Sequence, residues 1–242
     1  MLIQERNRNR PKLRIGLKRY LLSLNRDLDR IKADIATNYD YGRYFSHSIY
    51  ADAKELTTLE STILYMEDKR YFIHSGVEVR SIARGLRRLI RRGSIGGIST
   101  IEQQVVRISL GRHEKTFARK FSELILAFCL NLHKPKRQIF DYYIHNAYLG
   151  YKMEGCEIAA RKAFGISAKN LDGPQSAFVA SLLPLPFPRS VWEEYHKSQS
   201  YPCSDPSFII SIGETAAPRW ASRMKYRMKI AEKGYDFIPN NL

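Results

Sequence analysis

The sequence predicts a mainly α-helical protein. Apolar residues recur at helical spacing in one segment after another, glycines stand where several of those segments stop, and the period-two alternation of strands is scarce. The 242 residues suffice for one domain with a substantial core, and 44% hydrophobic against 26% charged residues is a globular balance rather than a disordered one.

Residues 1 to 12 are charged and apolar-poor and read as a loose basic arm ahead of a single domain over 13–242. From Leu13 to Thr37, Leu17, Tyr20, Leu21, Leu24, Leu28 and Ile31 fall on one face of an amphipathic helix. A second helix over Ala53 to Met66 delivers EDKRYFIHSG, Glu67 to Gly76, at its end. Over Val79 to Arg92, Ile82, Leu86, Leu89 and Ile90 form an apolar stripe flanked by arginines. That pattern suits a helix in a membrane interface, or a solvated charged face over an ordinary core stripe. GSIGGIST, Gly93 to Thr100, is too glycine-rich for a regular element. Helices follow at Thr100 to Leu110 and Arg119 to His133. The second is apolar on nearly every face after Glu123, which predicts burial all round. An aromatic-rich segment runs from Lys136 to Leu149, a short helix from Glu154 to Phe164 ends at Gly165, another covers Pro174 to Leu183 before PLPFP, and a last one covers Ala221 to Lys233.

Forty basic against 24 acidic residues give a formal charge of +16, which calls for an anionic partner. Nucleic acid, acidic lipid headgroups and a phosphorylated substrate all satisfy it. Cys129, Cys156 and Cys203 are too few and too odd in number for a disulfide framework, and no CxxC pair suggests zinc, so free thiols are expected. The longest apolar run, Leu124 to Leu130, is far short of the roughly 20 residues of a membrane span. The first residues place charges where the apolar stretch of a secretory signal belongs, so no such signal is expected and the sequence does not reveal an export route.

Two acids stand out, because glycosyl chemistry uses carboxylates held in unlike environments. Glu67 sits where a helix end meets a turn, among Asp68, Lys69, Arg70 and His74; a plain helix-end charge cluster would look the same. Glu123 precedes seven apolar residues on one helix, and a carboxylate beside a core must find a cation or hydrogen bonds. Arg119, one turn earlier, offers a structural salt bridge. Arg107, Lys115, Arg119 and Lys120 could clamp a pyrophosphate or form a surface charge run. Ser99, Thr100, Gln103 and Gln104 could face a sugar, or serve as a helix cap followed by solvent-facing amides.

These segments together resemble the peptidoglycan glycosyltransferases of family 51. EDKRYFIHSGVE is similar to the motif E-D-x-x-F-x-x-H-x-G-x-D, with Glu67, Asp68, His74 and Gly76 in place and Tyr71 at the phenylalanine position. GISTIEQQVVR, Gly97 to Arg107, resembles G-x-S-T-I-x-Q-Q-x-x-K, and ARKFSE, Ala118 to Glu123, resembles R-K-x-x-E. Collinear matches continue from Lys136 through IFDYYIHNAYLG to AARKAFG and then to SLLPLPFP, so the resemblance covers roughly residues 60 to 190. Glu78, Ile98, Glu102, His145 and Gln175 depart from the pattern, and Glu102 adds a negative charge close to a site meant for pyrophosphate unless its side chain turns away.

The resemblance implies a lysozyme-like fold with a small membrane-associated jaw lobe at about 79–97. It implies lipid II and a growing glycan chain as substrates, inverting transfer with release of undecaprenyl pyrophosphate, and a peripheral position at the outer face of the cytoplasmic membrane. By the same resemblance Glu67 would be the general base and Glu123 would assist at the donor. Arg107, Lys115, Arg119 and Lys120 would hold the pyrophosphate, and Asp68, His74, Ser99, Thr100, Gln103 and Gln104 would complete the substrate site. No obligatory cofactor or protein-bound metal is expected, although a divalent cation could assist the leaving group. The competing expectations are a family member that binds lipid II or glycan without turnover, and a basic nucleic-acid binder. The second has only charge in its favour, and no nucleic-acid partner is expected.

Overall fold

The computed structural model describes residues 2–45, 56–78, 80, 99–112, 114, 116–198 and 200–239, with side chains of the first helix described over 16–38. The expected jaw over 79–97 lies, Arg80 apart, outside the described residues, as do Ile98 and Lys115. The described residues are mainly helical, with one small hairpin among them.

Helix α1, Leu2–Phe45, begins far earlier than expected, so the segment anticipated as a loose arm is helical. Its glutamine, glutamate and arginines are straight-chain residues that lose little freedom in a helix, and helix formation does not require an apolar face. Leu24, Leu28, Ile31 and Ile35 are buried, while Tyr20 meets Ser122 at 2.9 Å and Asp27 pairs with Arg112 at 2.9 Å.

Helix α2, Thr58–Glu67, opens with a capping box between Thr57 and Glu60. Leu59 to Leu64 are all buried, so α2 is a central element whose last residue is Glu67. After it come α3, Ile101–Leu110, closed by left-handed Gly111; α4, Phe117–His133, capped by Thr116; and α5, Lys136–Asn146. Strands β1, Tyr148–Gly150, and β2, Met153–Glu154, form an antiparallel hairpin. The remainder is α6, Cys156–Phe164; α7, Gly173–Leu182; α8, Arg189–Lys197; α9, Pro206–Ala216; and α10, Pro218–Ala231.

Two further features depart from the sequence reading. Helices α8 and α9 were not anticipated: each is short and preceded by proline or Asp-Pro, which reads locally as loop, although Asp205 in fact caps α9 and Pro206 occupies its first turn. Helix α4 is not buried all round, for only Glu123, Leu126, Ala127 and Leu130 are enclosed, and Phe117, Phe121, Phe128 and Leu132 face outward. The core covers one side of α4, and apolar residues on the other side lack that cover. Among the described residues, no helix is long and apolar enough to cross a membrane.

Candidate active site

Helix α3 organises the site. Thr100 caps it, accepting from the Gln103 amide at 3.4 Å and donating to the Gly76 carbonyl at 2.8 Å. Its hydroxyl is thus buried and engaged within the fold, as the capping alternative expects. From the next turn, Gln103 and Gln104 reach toward different acids.

Gln104 Nε2 donates to Glu67 at 3.3 Å, and the same amide's oxygen accepts from the Tyr143 hydroxyl at 2.9 Å. Arg227, on α10, approaches the other Glu67 oxygen at 3.4 Å. Burial raises the Glu67 pKa above its usual value, Arg227 and then Gln104 oppose the rise, and Asp68 adds a smaller push. A carboxylate in this setting is a stronger proton acceptor than one in water. The charged neighbours of Glu67 in sequence do not form a single cluster around it. Lys69 stacks over Tyr65 with its ammonium 3.6 Å from the ring centre, and Arg70 pairs with buried Glu78 at 2.9 Å.

Asp68 and His74 lie behind the base. His74 Nε2 is 2.9 Å from Asp68, and the Ile101 amide, at the start of α3, donates to the same Asp68 oxygen at 3.3 Å. His74 Nδ1 is 3.9 Å from Glu102, whose fully buried carboxylate is bound by Lys136. Burial raises the Glu102 pKa, with Lys136 and then His74 opposing it. Glu102 therefore turns into the interior and brings its own counter-ion. Among the described residues, Asp68, His74 and Glu102 bring metal-capable atoms within 4.8 Å of one another; Lys136 binds one Glu102 oxygen, Oε1, and the buried Oε2 has no hydrogen-bond partner among the described residues.

Glu123 anchors the second half of the site. It is 2% exposed and receives Arg107 at 3.1 Å, Arg119 at 2.5 Å and Lys120 at 2.7 Å. Lys120 also donates to Ser99 at 2.9 Å and Gln103 at 2.7 Å, so its ammonium ties α4 to α3 and to the loop before it. Burial lowers the Lys120 pKa, the hydrogen bond and charge of Glu123 oppose this, and Arg107 and Arg119 lower it further. Three cations on one carboxylate leave two positive charges in excess, which suits an anion held by directed hydrogen bonds. Arg119 does make the salt bridge expected of a structural pair, but as one member of this larger set.

Sequence reasoning missed Arg227 and Tyr143 as partners in the site. Arg227 is 160 positions from Glu67 along the chain, and its helix carries several other basic residues, so no local pattern marks it.

Residues 40–203 match the Transglycosylase family. Over 129 residues the chain is 34% identical to a biosynthetic peptidoglycan transglycosylase of Alcanivorax borkumensis, covering 53% of each chain. It is 35% identical over 129 residues to penicillin-binding protein 1A of Neisseria gonorrhoeae, covering 53% of this chain and 16% of that protein. With penicillin-binding protein 1F of Bacillus subtilis it shares 28% identity over 147 residues, 57% of this chain and 21% of the relative. The chain thus spans about half the length of the first of these relatives and a smaller part of the other two.

Proposed function

The chain belongs to the transglycosylase family, and from that premise we propose that it polymerises lipid II into glycan strands. The observation that carries the proposal is that one helix, α3, reaches both a base-like carboxylate on α2 and an anion grip on α4: Gln104 holds Glu67, while Gln103 and Arg107 reach the Lys120 and Glu123 cluster.

In this reading Glu67 removes the proton from the acceptor sugar's 4-hydroxyl, and the freed oxygen attacks the donor's anomeric carbon from the face opposite the leaving group. The anomeric C–O bond breaks with inversion, and undecaprenyl pyrophosphate leaves with the bonding electrons. Arg107, Arg119 and Lys120 take up the developing negative charge, which fixed donors in a dry site do more effectively than water. Lys115 is proposed to join them. Glu123 keeps the three cations in place until pyrophosphate competes for them. Asp68 and His74 hold the base segment against the start of α3, and Ser99 and Gln103 orient Lys120.

Because side-chain cations supply the neutralising charge, no obligatory metal is proposed, and a divalent cation would act only as an aid to the leaving group. The partners proposed are lipid II, the growing glycan and a membrane surface at the outer face of the cytoplasmic membrane, with no nucleic acid. The test is polymerisation of purified lipid II in detergent, with products separated by gel and digested by a muramidase. Muramidase-sensitive strands made by the native chain and not by Glu67→Gln support the reading. Lipid II that binds but never polymerises, across detergents and added cations, would replace it with a binding protein that does not turn over.

A further inference from the structure

The outward face of α4 carries an exposed apolar stripe. Phe117 is 97% exposed, Phe121 59%, Phe128 46% and Leu132 64%, and their positions at i, i+4, i+11 and i+15 align them along one side of the helix. Half-buried Leu124 and Ile125 fill the gap between them. The stripe is roughly 22 Å long at the helical rise, and its phenylalanines alone expose on the order of 400 Å². Contiguous apolar surface of that extent marks an interaction face rather than scattered surface residues.

Beside it runs α1, joined to α4 through the Tyr20 and Ser122 hydroxyls at 2.9 Å. Leu21 follows Tyr20 and Phe121 precedes Ser122, so the exposed leucines Leu17, Leu21 and Leu22 lie at the same end of the helix pair as Phe117 and Phe121. Exposed Lys18, Arg19 and Arg26 stand on the same helix. Phenylalanine and leucine on one side with lysine and arginine around them is the composition of a helix pair lying in a bilayer interface.

We propose that α4 and the adjoining stretch of α1 form a docking face for an anionic bilayer, with the Phe117, Phe121, Phe128 and Leu132 stripe inserted at the level of the acyl boundary. Charge complementarity selects the occupant: a chain with a formal charge of +16 repels a second copy of itself, whereas an anionic leaflet attracts it. Continuity with the site points the same way. Arg119 and Lys120, members of the proposed anion grip, stand on the same first turns of α4 as Phe117 and Phe121, so a bilayer seated on this face lies within a helix diameter of them. The proposal rests on the lipid-linked donor inferred above, but vesicle binding is read without turnover, so the two can fail separately.

The experiment is flotation of the full chain with vesicles of equal parts phosphatidylcholine and phosphatidylglycerol, comparing native protein with a Phe117→Ser, Phe121→Ser, Phe128→Ser variant whose fold is checked by circular dichroism. The variant is expected to bind at least about ten-fold more weakly, because three inserted aromatics are lost. Equal binding by both would overturn the proposal, as would a native chain that self-associates through these residues in sedimentation and does not float. Should the triple variant misfold, Phe121→Trp supplies a second readout. Its emission is expected to shift to the blue on adding vesicles, and an unshifted spectrum would overturn the proposal.

Discussion

Glu102 and Lys136 form an ion pair in the interior, and His74 links that pair to Asp68 next to the proposed base. A charge that would be misplaced if it faced the pyrophosphate thus becomes part of the scaffold. Removing only its cation strands a buried carboxylate. Lys136→Met should lower stability by about 3–5 kcal/mol, whereas the double variant Glu102→Thr, Lys136→Met should recover much of that loss. Chemical denaturation of the native chain, the two single variants Lys136→Met and Glu102→Thr and the double variant measures the coupling, and additivity of the two single effects would show that the pair is not energetically linked.

The proposed base also predicts a pH effect. Arg227 stabilises the charged form of Glu67, so Arg227→Met should raise the carboxyl's pKa further and move the acidic limb of the kcat/KM profile to higher pH. Arg227→Lys should restore most of the native profile. A limb that stays in place in Arg227→Met would detach Arg227 from the base.

At the cation cluster, Glu123→Gln keeps the shape of the carboxyl but removes the charge that gathers Arg107, Arg119 and Lys120. Polymerisation is expected to fall by about 100-fold, the scale of losing a preorganised electrostatic contact. Lys120→Gln should also raise the KM for lipid II and make it less sensitive to salt. Unchanged kinetics in both variants would remove the cluster from the reaction.

Asp141 offers a test of stability that does not depend on activity. Burial raises its pKa from 3.8 to about 7, against the pull of Arg137 and with a further push from Glu60. Between those values the folded chain binds more protons than the unfolded one, so this group's contribution to stability declines as pH rises from about 4 to 7. Replacing it by Asn should flatten that decline, worth on the order of 2 kcal/mol or more across the window. Thermal melts from pH 4 to pH 8 measure it, and parallel curves for native and Asp141→Asn protein would count against a raised pKa.

Gly76 adopts φ +83, and a Cβ there would lie 2.3 Å from the Ala127 carbonyl oxygen. Gly76→Ala should therefore cost more than the roughly 1 kcal/mol of an unfavourable backbone angle alone, because the loop after the base must pull away from α4. An unchanged denaturation midpoint would show that the loop yields freely.

Much of this was legible in the sequence because it is local. The helices around the site follow from apolar spacing, and Glu67, Gln104, Arg107, Lys120 and Glu123 stand in motif segments whose order carries over. Contacts that join distant segments were not legible. Nothing near Arg227 marks it as a neighbour of Glu67, and nothing near Lys136 says that it neutralises Glu102. The outward phenylalanines of α4 failed for a related reason: hydrophobicity shows that a face is apolar, but not whether protein covers it.

Helix α3 is a rod of only about 15 Å, yet consecutive side chains on it, Gln103 and Gln104, reach Lys120 and Glu67, the two ends of the proposed reaction. A twist of that rod cannot tighten the hold on the leaving group without also shifting the partner of the base. In the proposed reaction, proton removal and departure of the pyrophosphate would therefore be mechanically geared through this one helix.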